Sequence, residues 1–280
     1  MTATAFVDIA LPNRDVSIEY RWLRPSGRSR AGQAPLVVFL HEGLGSVAMW
    51  RDYPQQLCDA GGYRGLVYSR PGYGRSTPRA RGEHWPISFM HDHANDVLPR
   101  LLARLGIGVE GPRPWLFGHS DGASIALIHA ATHPAAVAGV IAVAPHIVVE
   151  PLSLQSIRAA RDAYATGGLK TRLARYHDDV DSAFHGWNDA WLEPAFAGWS
   201  IEPLLGALRC PILAVQGADD EYGTLAQVDG IKHRAAQTEV VVIPACGHSP
   251  QKDAPQALTG AAIEFITRHS LALINQGGVQ

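Results

Sequence analysis

The sequence predicts an α/β fold: a doubly wound, mostly parallel sheet of about eight strands, with a helical cap inserted after the sixth strand. Short apolar runs of strand type alternate along the chain with segments of helical spacing. This alternation is typical of a parallel sheet with helices on both faces. It stops between residues 146 and 208, which contain no strand-like run. We therefore predict that this segment forms a separate group of helices.

Each predicted strand is identified by its pattern of apolar residues. Residues 16–22 alternate between apolar and polar side chains, which indicates an early antiparallel strand. The later strands are continuous apolar runs, as expected for strands that are buried on both faces of a sheet. These runs are residues 35–40, 65–68, 114–117, 137–144, 211–215 and 239–243.

The predicted helices are recognised by their spacing and by the residues that end them. Gly61 and Gly62 follow the first helix and Gly106 follows the second, because glycine readily takes the left-handed conformation that ends a helix. The predicted helices outside the cap are residues 50–60, 88–105, 123–131 and 254–274.

The cap, residues 146–208, is predicted to lie as a lid over the carboxyl ends of the strands, where ligands bind in open α/β sheets. The core then consists of residues 1–145 and 209–274. The tail, residues 275–280, is polar and glycine-rich, and we predict that it is disordered. The cap also contains a cluster of large aromatic residues, which are Trp187, Trp191, Phe196 and Trp199.

The composition argues against several classes of protein. The net charge of −2 and the lack of a basic run argue against a nucleic-acid partner. No apolar run approaches the roughly 20 residues of a membrane span. The three cysteines fit neither a zinc site nor a disulfide framework, and no signal peptide is recognisable, so we expect a cytoplasmic protein. His91 and His93 would not share a helix face, and neither a metal nor a cofactor is predicted.

The pentapeptide from Gly118 to Gly122 is the most informative motif. It reads Gly-His-Ser-Asp-Gly and lies between a predicted strand and a predicted helix. Gly118 and Gly122, two residues before and two residues after Ser120, let the backbone turn sharply, which exposes the serine hydroxyl. The N–H groups at the start of the following helix then point to where negative charge develops in acyl transfer. The motif predicts that Ser120 is a nucleophile.

A serine nucleophile needs a base within hydrogen-bond reach. Among the 13 histidines, His248 is favoured because its loop follows the last predicted strand and meets the Ser120 turn at the same edge of the sheet. Asp220 follows the preceding strand and is predicted to orient the imidazole. Its neighbour Asp219 remains an alternative, since spacing does not separate two adjacent aspartates. The order serine, aspartate, histidine is the one that this architecture uses.

Together these residues make the chain resemble the α/β-hydrolase superfamily, in the branch of capped serine hydrolases that contains esterases and C–C hydrolases. The resemblance covers nearly the whole chain and implies a catalytic triad of Ser120, His248 and Asp220. It rests on five segments, which are His41-Glu42-Gly43-Leu44-Gly45-Ser46, Arg70-Pro71-Gly72-Tyr73-Gly74-Arg75-Ser76, the Ser120 turn, Gly217-Ala218-Asp219-Asp220 and Gly247-His248-Ser249-Pro250.

The resemblance also implies an oxyanion hole, in which two backbone N–H groups bind the negative oxygen of the reaction intermediate. The implied donors are the N–H groups of Asp121 and Gly43. The family commonly has glycine where this chain has Glu42. Glu42 is therefore an alternative donor and a candidate substrate contact, whereas His41 is implied to be structural.

Side chains around this site allow more than one interpretation. The carboxylate of Asp121 is expected either to hold a cationic group of the substrate, or to cap the following helix or pair with an arginine. Trp187, Trp191 and Trp199 are expected either to contact the substrate or to form the core of the lid.

The predicted function is hydrolysis of a small to medium carboxylic ester, or of a lactone, through an acyl-enzyme. A small-molecule substrate is the expected partner, and a homodimer is left open. The first alternative is C–C bond hydrolysis of a vinylogous diketone ring-cleavage product, which uses a similar triad in capped relatives. Dehalogenases and epoxide hydrolases of this fold carry aspartate at the nucleophile position, so Ser120 argues against both. The second alternative is a ligand-binding receptor that retains the fold.

Overall fold

The eight strands of the described residues form one sheet. The computed structural model describes residues 3–26, 34–108 and 113–277. The strands are β1 (Ala5–Ala10), β2 (Asp15–Leu23), β3 (Leu36–Leu40), β4 (Arg64–Tyr68), β5 (Trp115–His119), β6 (Gly139–Val143), β7 (Ile212–Gly217) and β8 (Thr238–Ile243). They lie in the order β1-β2-β4-β3-β5-β6-β7-β8. Only the β1–β2 and β2–β4 pairs among these are antiparallel. The predicted mostly parallel sheet is confirmed.

β1 is a strand that the apolar runs do not predict. It lies at the edge of the sheet and pairs with β2 alone among the described strands. Only Ile9 of its side chains is buried, and Phe6 is 45% exposed. A short edge strand of this kind buries little apolar surface, so its sequence carries only a weak signal.

Helices cover both faces of the sheet. Apolar side chains of β3 alternate between two hydrophobic clusters, with Val38 and Leu40 in one and Val37 and Phe39 in the other. This arrangement is that of a doubly wound sheet. The α-helices are α1 (Tyr53–Gly61), α2 (Phe89–Asp92), α3 (Leu98–Arg104), α4 (Asp121–Thr132), α5 (Pro151–Ala165), α6 (Gly168–Leu173), α7 (Val180–Trp191), α8 (Glu202–Leu205), α9 (Ala226–Arg234), α10 (Pro250–Asp253) and α11 (Pro255–Gly277). Within the described ranges, none of these helices is long and apolar enough to cross a membrane.

The helix predicted over residues 88–105 is interrupted. A π-helical turn, His93–Val97, separates α2 from α3. Pro99 lies in the first turn of α3. It has no N–H to continue the α-helical ladder, and its ring would collide with the carbonyl four residues earlier. The wider turn before it accommodates this proline.

The last helix extends further than the sequence predicts. α11 runs to Gly277, three residues beyond the predicted end at residue 274. Residues 278–280 lie outside the described chain, and the disordered tail stays a prediction.

A helical insertion, α5 to α8, separates β6 from β7, at the place where the sequence predicts a cap. The short 3₁₀ turn Pro194–Gly198 lies within it. One isolated β-bridge, between Val148 and Ser200, ties the two ends of the insertion together.

The loops that carry the predicted functional residues meet at one edge of the sheet. β3 pairs with β4 on one side and with β5 on the other, so the chain changes direction across the sheet at this point. Loops after parallel strands form a crevice beyond the carboxyl ends at such a switch point. Residues 41–45 follow β3, Ser120 follows β5, Asp220 follows β7 and His248 follows β8.

Candidate active site

Ser120 occupies a strained turn between β5 and α4. Its φ is 52° and its ψ is −121°, which places a non-glycine residue in the sparsely populated left-handed half of the backbone map. The Ser120 N–H donates to the carbonyl of Val143 in β6 at 2.9 Å. Gly118 and Gly122 leave no room for a side chain, because a Cβ on Gly118 would overlap the backbone of Gly122. The sequence therefore folds into this turn only with small residues at both positions.

A Gly122→Ala substitution is expected to destabilise the protein by about 1–3 kcal/mol. The added methyl group would overlap the carbonyl group of Leu40 in β3, so the helix would have to move away from the sheet. Urea or thermal unfolding measures the change. Gly260→Ala in α11 is the matched control, since no atom lies within 4 Å of its Cβ position. This control should be neutral or stabilising by about 0.5–1 kcal/mol. Equal stability of Gly122→Ala and wild type would contradict the close approach.

Ser120, His248 and Asp220 form one hydrogen-bonded chain. His248 Nε2 lies 2.9 Å from Ser120 Oγ, and His248 Nδ1 lies 2.8 and 2.9 Å from the two carboxylate oxygens of Asp220. A carboxylate only accepts hydrogen bonds, so Nδ1 donates to Asp220 and Nε2 accepts from the serine hydroxyl. All three residues are buried. The arrangement can remove the hydroxyl proton and stabilise the resulting imidazolium.

Asp220 is held firmly in place by its own loop. The N–H of Tyr222 donates to Oδ1 at 2.8 Å, and Gln216 Nε2 donates to Oδ2 at 2.8 Å. Burial raises the pKa of Asp220, but the hydrogen bonds and the charge of His248 outweigh this effect and lower the pKa below its usual value. Asp219 is exposed and its N–H donates to the carbonyl of Cys246. The structure thus brings Asp220, not Asp219, to the imidazole.

Asp121 is paired with an arginine that the sequence reasoning does not assign to the site. Arg70 Nη2 lies 3.6 Å from Asp121 Oδ2, and both side chains are almost completely buried. Trp191 Nε1 donates to Asp121 Oδ1 at 3.1 Å. Burial raises the pKa of Asp121 even though the Arg70 charge acts in the opposite direction. This geometry favours the arginine pairing over a role in holding a substrate cation.

Arg70 also reaches the loop after β3. Its Nη2 donates to the carbonyl of Glu42 at 2.9 Å, and its backbone N–H donates to His41 Nε2 at 3.0 Å. His41 Nδ1 in turn lies 2.7 Å from the Glu42 carbonyl. His41 and Arg70 therefore fix the loop that carries Gly43, in agreement with the structural role expected for His41.

His119, the residue before Ser120, connects three loops of the site. Its Nε2 donates to the carbonyl of His248 at 2.7 Å, and its Nδ1 lies 3.5 Å from Glu42 Oε2 and 3.0 Å from Gln251 Nε2. Burial raises the pKa of Glu42, but the hydrogen bond and charge of His119 and the charge of Lys252 together lower it far below its usual range. Sequence reasoning missed His119, and its position inside the Gly118–Gly122 motif is the signal that could have identified it.

A cavity of about 270 Å³ opens above Ser120. Apolar side chains from the insertion and from the loop after β3 form much of its wall. The lining includes Glu42, Gly43, Leu44, Met49, His119, Ser120, Asp121, His146, Ile157, Leu173, Trp187, Trp191, Tyr222, His248 and Lys252. The cavity is small for a ligand pocket, which typically measures about 300–1,000 Å³.

The three predicted tryptophans divide between the two interpretations. Trp187 and Trp191 line the cavity, whereas Trp199 does not. Trp199 stacks on Phe196, with ring centroids 5.3 Å apart, and packs within the insertion. For Trp199 this packing favours the second interpretation, in which the ring forms part of the core of the insertion. Spacing along the chain does not distinguish the two faces of such an aromatic cluster.

The two predicted oxyanion donors lie at the floor of this cavity. Gly43 and Asp121 both line it, and no acceptor for either N–H is found among the hydrogen bonds of the described residues. Glu42 also lines the cavity, with its side chain 18% exposed. In the described ranges, no group of three or more histidine, cysteine, aspartate or glutamate residues is arranged to hold a metal ion.

A sequence profile described as the alpha/beta hydrolase family matches residues 37–261. The chain belongs to this family. One relative, 2-succinyl-6-hydroxy-2,4-cyclohexadiene-1-carboxylate synthase of Enterobacter sp. (strain 638), is 26% identical over 86% of this chain and 96% of the relative. Another, 2-hydroxy-6-oxo-6-phenylhexa-2,4-dienoate hydrolase of Burkholderia cepacia, is 23% identical over 84% of this chain and 89% of the relative.

Solved structures share the fold of this alpha/beta hydrolase. The crystal structure of proline iminopeptidase from Mycobacterium smegmatis superposes with a TM-score of 0.75 at 16% sequence identity. The match covers 96% of this chain and 100% of that chain. At this identity the likeness extends to the fold only, and function has to be argued from the site.

Proposed function

We propose that this alpha/beta hydrolase is a serine hydrolase that cleaves a small to medium carboxylic ester or a lactone through an acyl-enzyme. The observation that carries the proposal is the hydrogen-bonded chain from Ser120 Oγ through His248 to Asp220. A serine at a strained strand-to-helix turn, with an imidazole on its hydroxyl and a carboxylate on the imidazole, has the groups that acyl transfer requires.

The reaction begins when Ser120 Oγ attacks the carbonyl carbon of the substrate and His248 Nε2 takes the hydroxyl proton. Asp220 stabilises the imidazolium that forms. The N–H groups of Gly43 and Asp121 bind the oxyanion, and the N-terminal end of α4 adds a favourable field. His248 then protonates the leaving alcohol. A water molecule activated by the same histidine finally releases the acid from Ser120.

The cavity supports a substrate of modest size. Its volume of about 270 Å³ and its apolar walls, among them Leu44, Met49 and Ile157, suit a short acyl chain. Neither a metal nor a cofactor is part of the proposed mechanism.

A second candidate function is hydrolysis of a C–C bond in a vinylogous diketone. The observation that favours it is the relative of Burkholderia cepacia, whose name describes a hydrolase of 2-hydroxy-6-oxo-6-phenylhexa-2,4-dienoate. The same serine, histidine and aspartate would serve in this reaction, so the triad does not separate the two candidates.

Parallel assays with para-nitrophenyl butyrate, a lactone and 2-hydroxy-6-oxo-6-phenylhexa-2,4-dienoate test the proposal. We expect a higher kcat/KM for the ester or the lactone than for the dienoate. Turnover confined to the dienoate would move C–C hydrolysis to first place. Binding without turnover of any of the three would favour the receptor alternative.

A further inference from the structure

Two hydrogen-bonding groups line the cavity without a partner in the described part of the chain. They are the indole N–H of Trp187, which makes no hydrogen bond among the described residues, and the imidazole of His146, whose Nδ1 is buried and unpaired there. Trp187 is 6% exposed and His146 is 2% exposed. Buried indole and imidazole groups usually find a partner inside the protein. Two unpaired groups in one cavity therefore point to a partner on the ligand.

The Trp187 indole lies against the loop after β3. Its Nε1 is the atom nearest to the position that a Cβ on Gly43 would occupy, so glycine at this position lets the indole come close to the backbone. The ring is held by α7 and packs edge-on against Phe184, with centroids 6.1 Å apart. The N–H is thereby placed beside the residue proposed as an oxyanion donor.

The His146 ring lies next to the His248 ring. Its backbone is clamped by Ser124, whose Oγ accepts from the His146 N–H at 3.1 Å and donates to the His146 carbonyl at 2.7 Å. The ring packs edge-on against Trp191 at 5.0 Å and lies 5.7 Å from the His248 ring. These contacts hold the imidazole in the wall of the cavity.

The tautomer of His146 follows from its burial. Burial and the nearby charge of His248 lower the pKa of His146 to about 3, so the ring is neutral at physiological pH. Its Nδ1 is buried and has no partner among the described residues. An unpaired buried N–H is rarer in proteins than an unpaired acceptor, so the proton belongs on Nε2. His146 thus presents a neutral N–H donor to the cavity, as Trp187 does.

We propose that the cavity selects substrates that carry a second, uncharged oxygen acceptor close to the scissile carbonyl, and that Trp187 and His146 are specificity-determining residues that donate hydrogen bonds to it. The inference rests on the serine-hydrolase function proposed above. Leu44, Met49, Ile157 and Leu173 would accept a plain hydrocarbon chain equally well. A hydrocarbon would leave both donors unpaired, and sites of this kind discriminate against an analogue that lacks the acceptor.

The acceptor is uncharged because both donors are neutral and the cavity has no excess of positive charge. Three carboxylates, those of Glu42, Asp121 and Glu221, belong to residues that line it, against the one ammonium group of Lys252. A carbonyl, ether or hydroxyl oxygen fits this environment. The predicted substrate class is therefore an oxo-, alkoxy- or hydroxy-substituted ester or lactone.

A matched pair of esters tests the inference: para-nitrophenyl methoxyacetate and para-nitrophenyl butyrate. Their acyl groups are alike in length, and an ether oxygen in one replaces a methylene in the other. Each kcat/KM is divided by the rate of hydroxide-catalysed hydrolysis, which removes the difference in intrinsic reactivity. We expect the wild type to favour the methoxyacetate about tenfold, the effect of one net hydrogen bond.

Two variants remove the donors while retaining an aromatic ring. Trp187→Phe and His146→Phe are each expected to reduce this preference several-fold. Trp199→Phe is the matched control, since its Nε1 is also unpaired within the described chain but lies outside the cavity, and it should leave the preference unchanged.

The outcomes separate the inference from the function on which it rests. A wild type that hydrolyses both esters without preference overturns the inference alone, as does a preference that survives both variants. A wild type that hydrolyses neither these esters nor a lactone overturns the proposed function together with the inference, whereas hydrolysis of the lactone alone overturns only the inference. If one variant does not fold, the wild-type ratio of the two normalised kcat/KM values and the ratio for the other variant still test the inference.

Discussion

Ser120→Ala is expected to lower kcat for ester hydrolysis by roughly 10⁴- to 10⁶-fold, because the proposed mechanism has no other nucleophile. The residual rate would come from the oxyanion donors and from substrate positioning alone. KM should change little, since the hydroxyl contributes mainly to the transition state. Steady-state kinetics with an activated ester, on protein free of wild-type contamination, measures the effect.

The Ser120→Ala variant should fold normally. Alanine places the same Cβ in the turn as serine does, so the strained backbone at φ 52° is no worse in the variant. An unchanged unfolding temperature would show that the loss of activity is chemical. More than about a hundredth of the wild-type rate in a folded variant would contradict the role proposed for Ser120.

Asp220→Asn is expected to have the second-largest effect, a loss in kcat of roughly 10⁴-fold near neutral pH. The carboxylate accepts the Nδ1 proton of His248 at 2.8 Å. An amide at the same place can donate instead, which favours the wrong tautomer and leaves Nε2 unable to accept the serine proton. The variant also loses the negative charge that stabilises the imidazolium. Steady-state kinetics at neutral pH, with the same ester for wild type and variant, gives the measurement.

Asp219→Asn is the matched control for this substitution. The two aspartates are adjacent, but Asp219 is exposed and makes no contact with His248 among the described hydrogen bonds. We expect Asp219→Asn to retain activity within about twofold, since surface substitutions seldom matter. A larger loss in Asp219→Asn than in Asp220→Asn would reverse the assignment.

The sequence predicts the parts of the molecule that are governed by local rules. Continuous apolar runs identify the central strands because those strands are buried on both faces, and β3 and β5 are examples. The Ser120 turn is recognisable because steric overlap allows only small residues at Gly118 and Gly122. The strand-to-loop transitions then place Asp220 and His248 at the same edge of the sheet.

Contacts between distant segments could not be predicted in this way. Arg70 and Asp121 are 51 positions apart, and nothing in either local sequence indicates that they pair. The same holds for His119, whose Nε2 reaches a carbonyl in the loop after β8. The position of Trp199 away from the cavity depends on how the insertion packs around Phe196. These features come from tertiary packing, which single-sequence periodicity does not encode.

The π-helical turn and the longer last helix show that the sequence alone does not predict where a helix is interrupted or ends. Spacing predicts that residues 88–105 are helical, yet it does not reveal how the chain accommodates Pro99. Spacing predicts that the last helix ends at residue 274, whereas α11 continues to Gly277. Element ends are set by small differences in free energy, which composition describes poorly.

The most direct test of the serine-hydrolase mechanism is intact-protein mass spectrometry after treatment with a fluorophosphonate. Fluorophosphonates react with serines that an adjacent base activates, and the 2.9 Å contact between His248 Nε2 and Ser120 Oγ predicts such a serine. We expect one adduct on the wild type, none on Ser120→Ala, and slower labelling of Asp220→Asn. A folded wild type without an adduct, or an equal adduct on Ser120→Ala, would contradict the proposed mechanism.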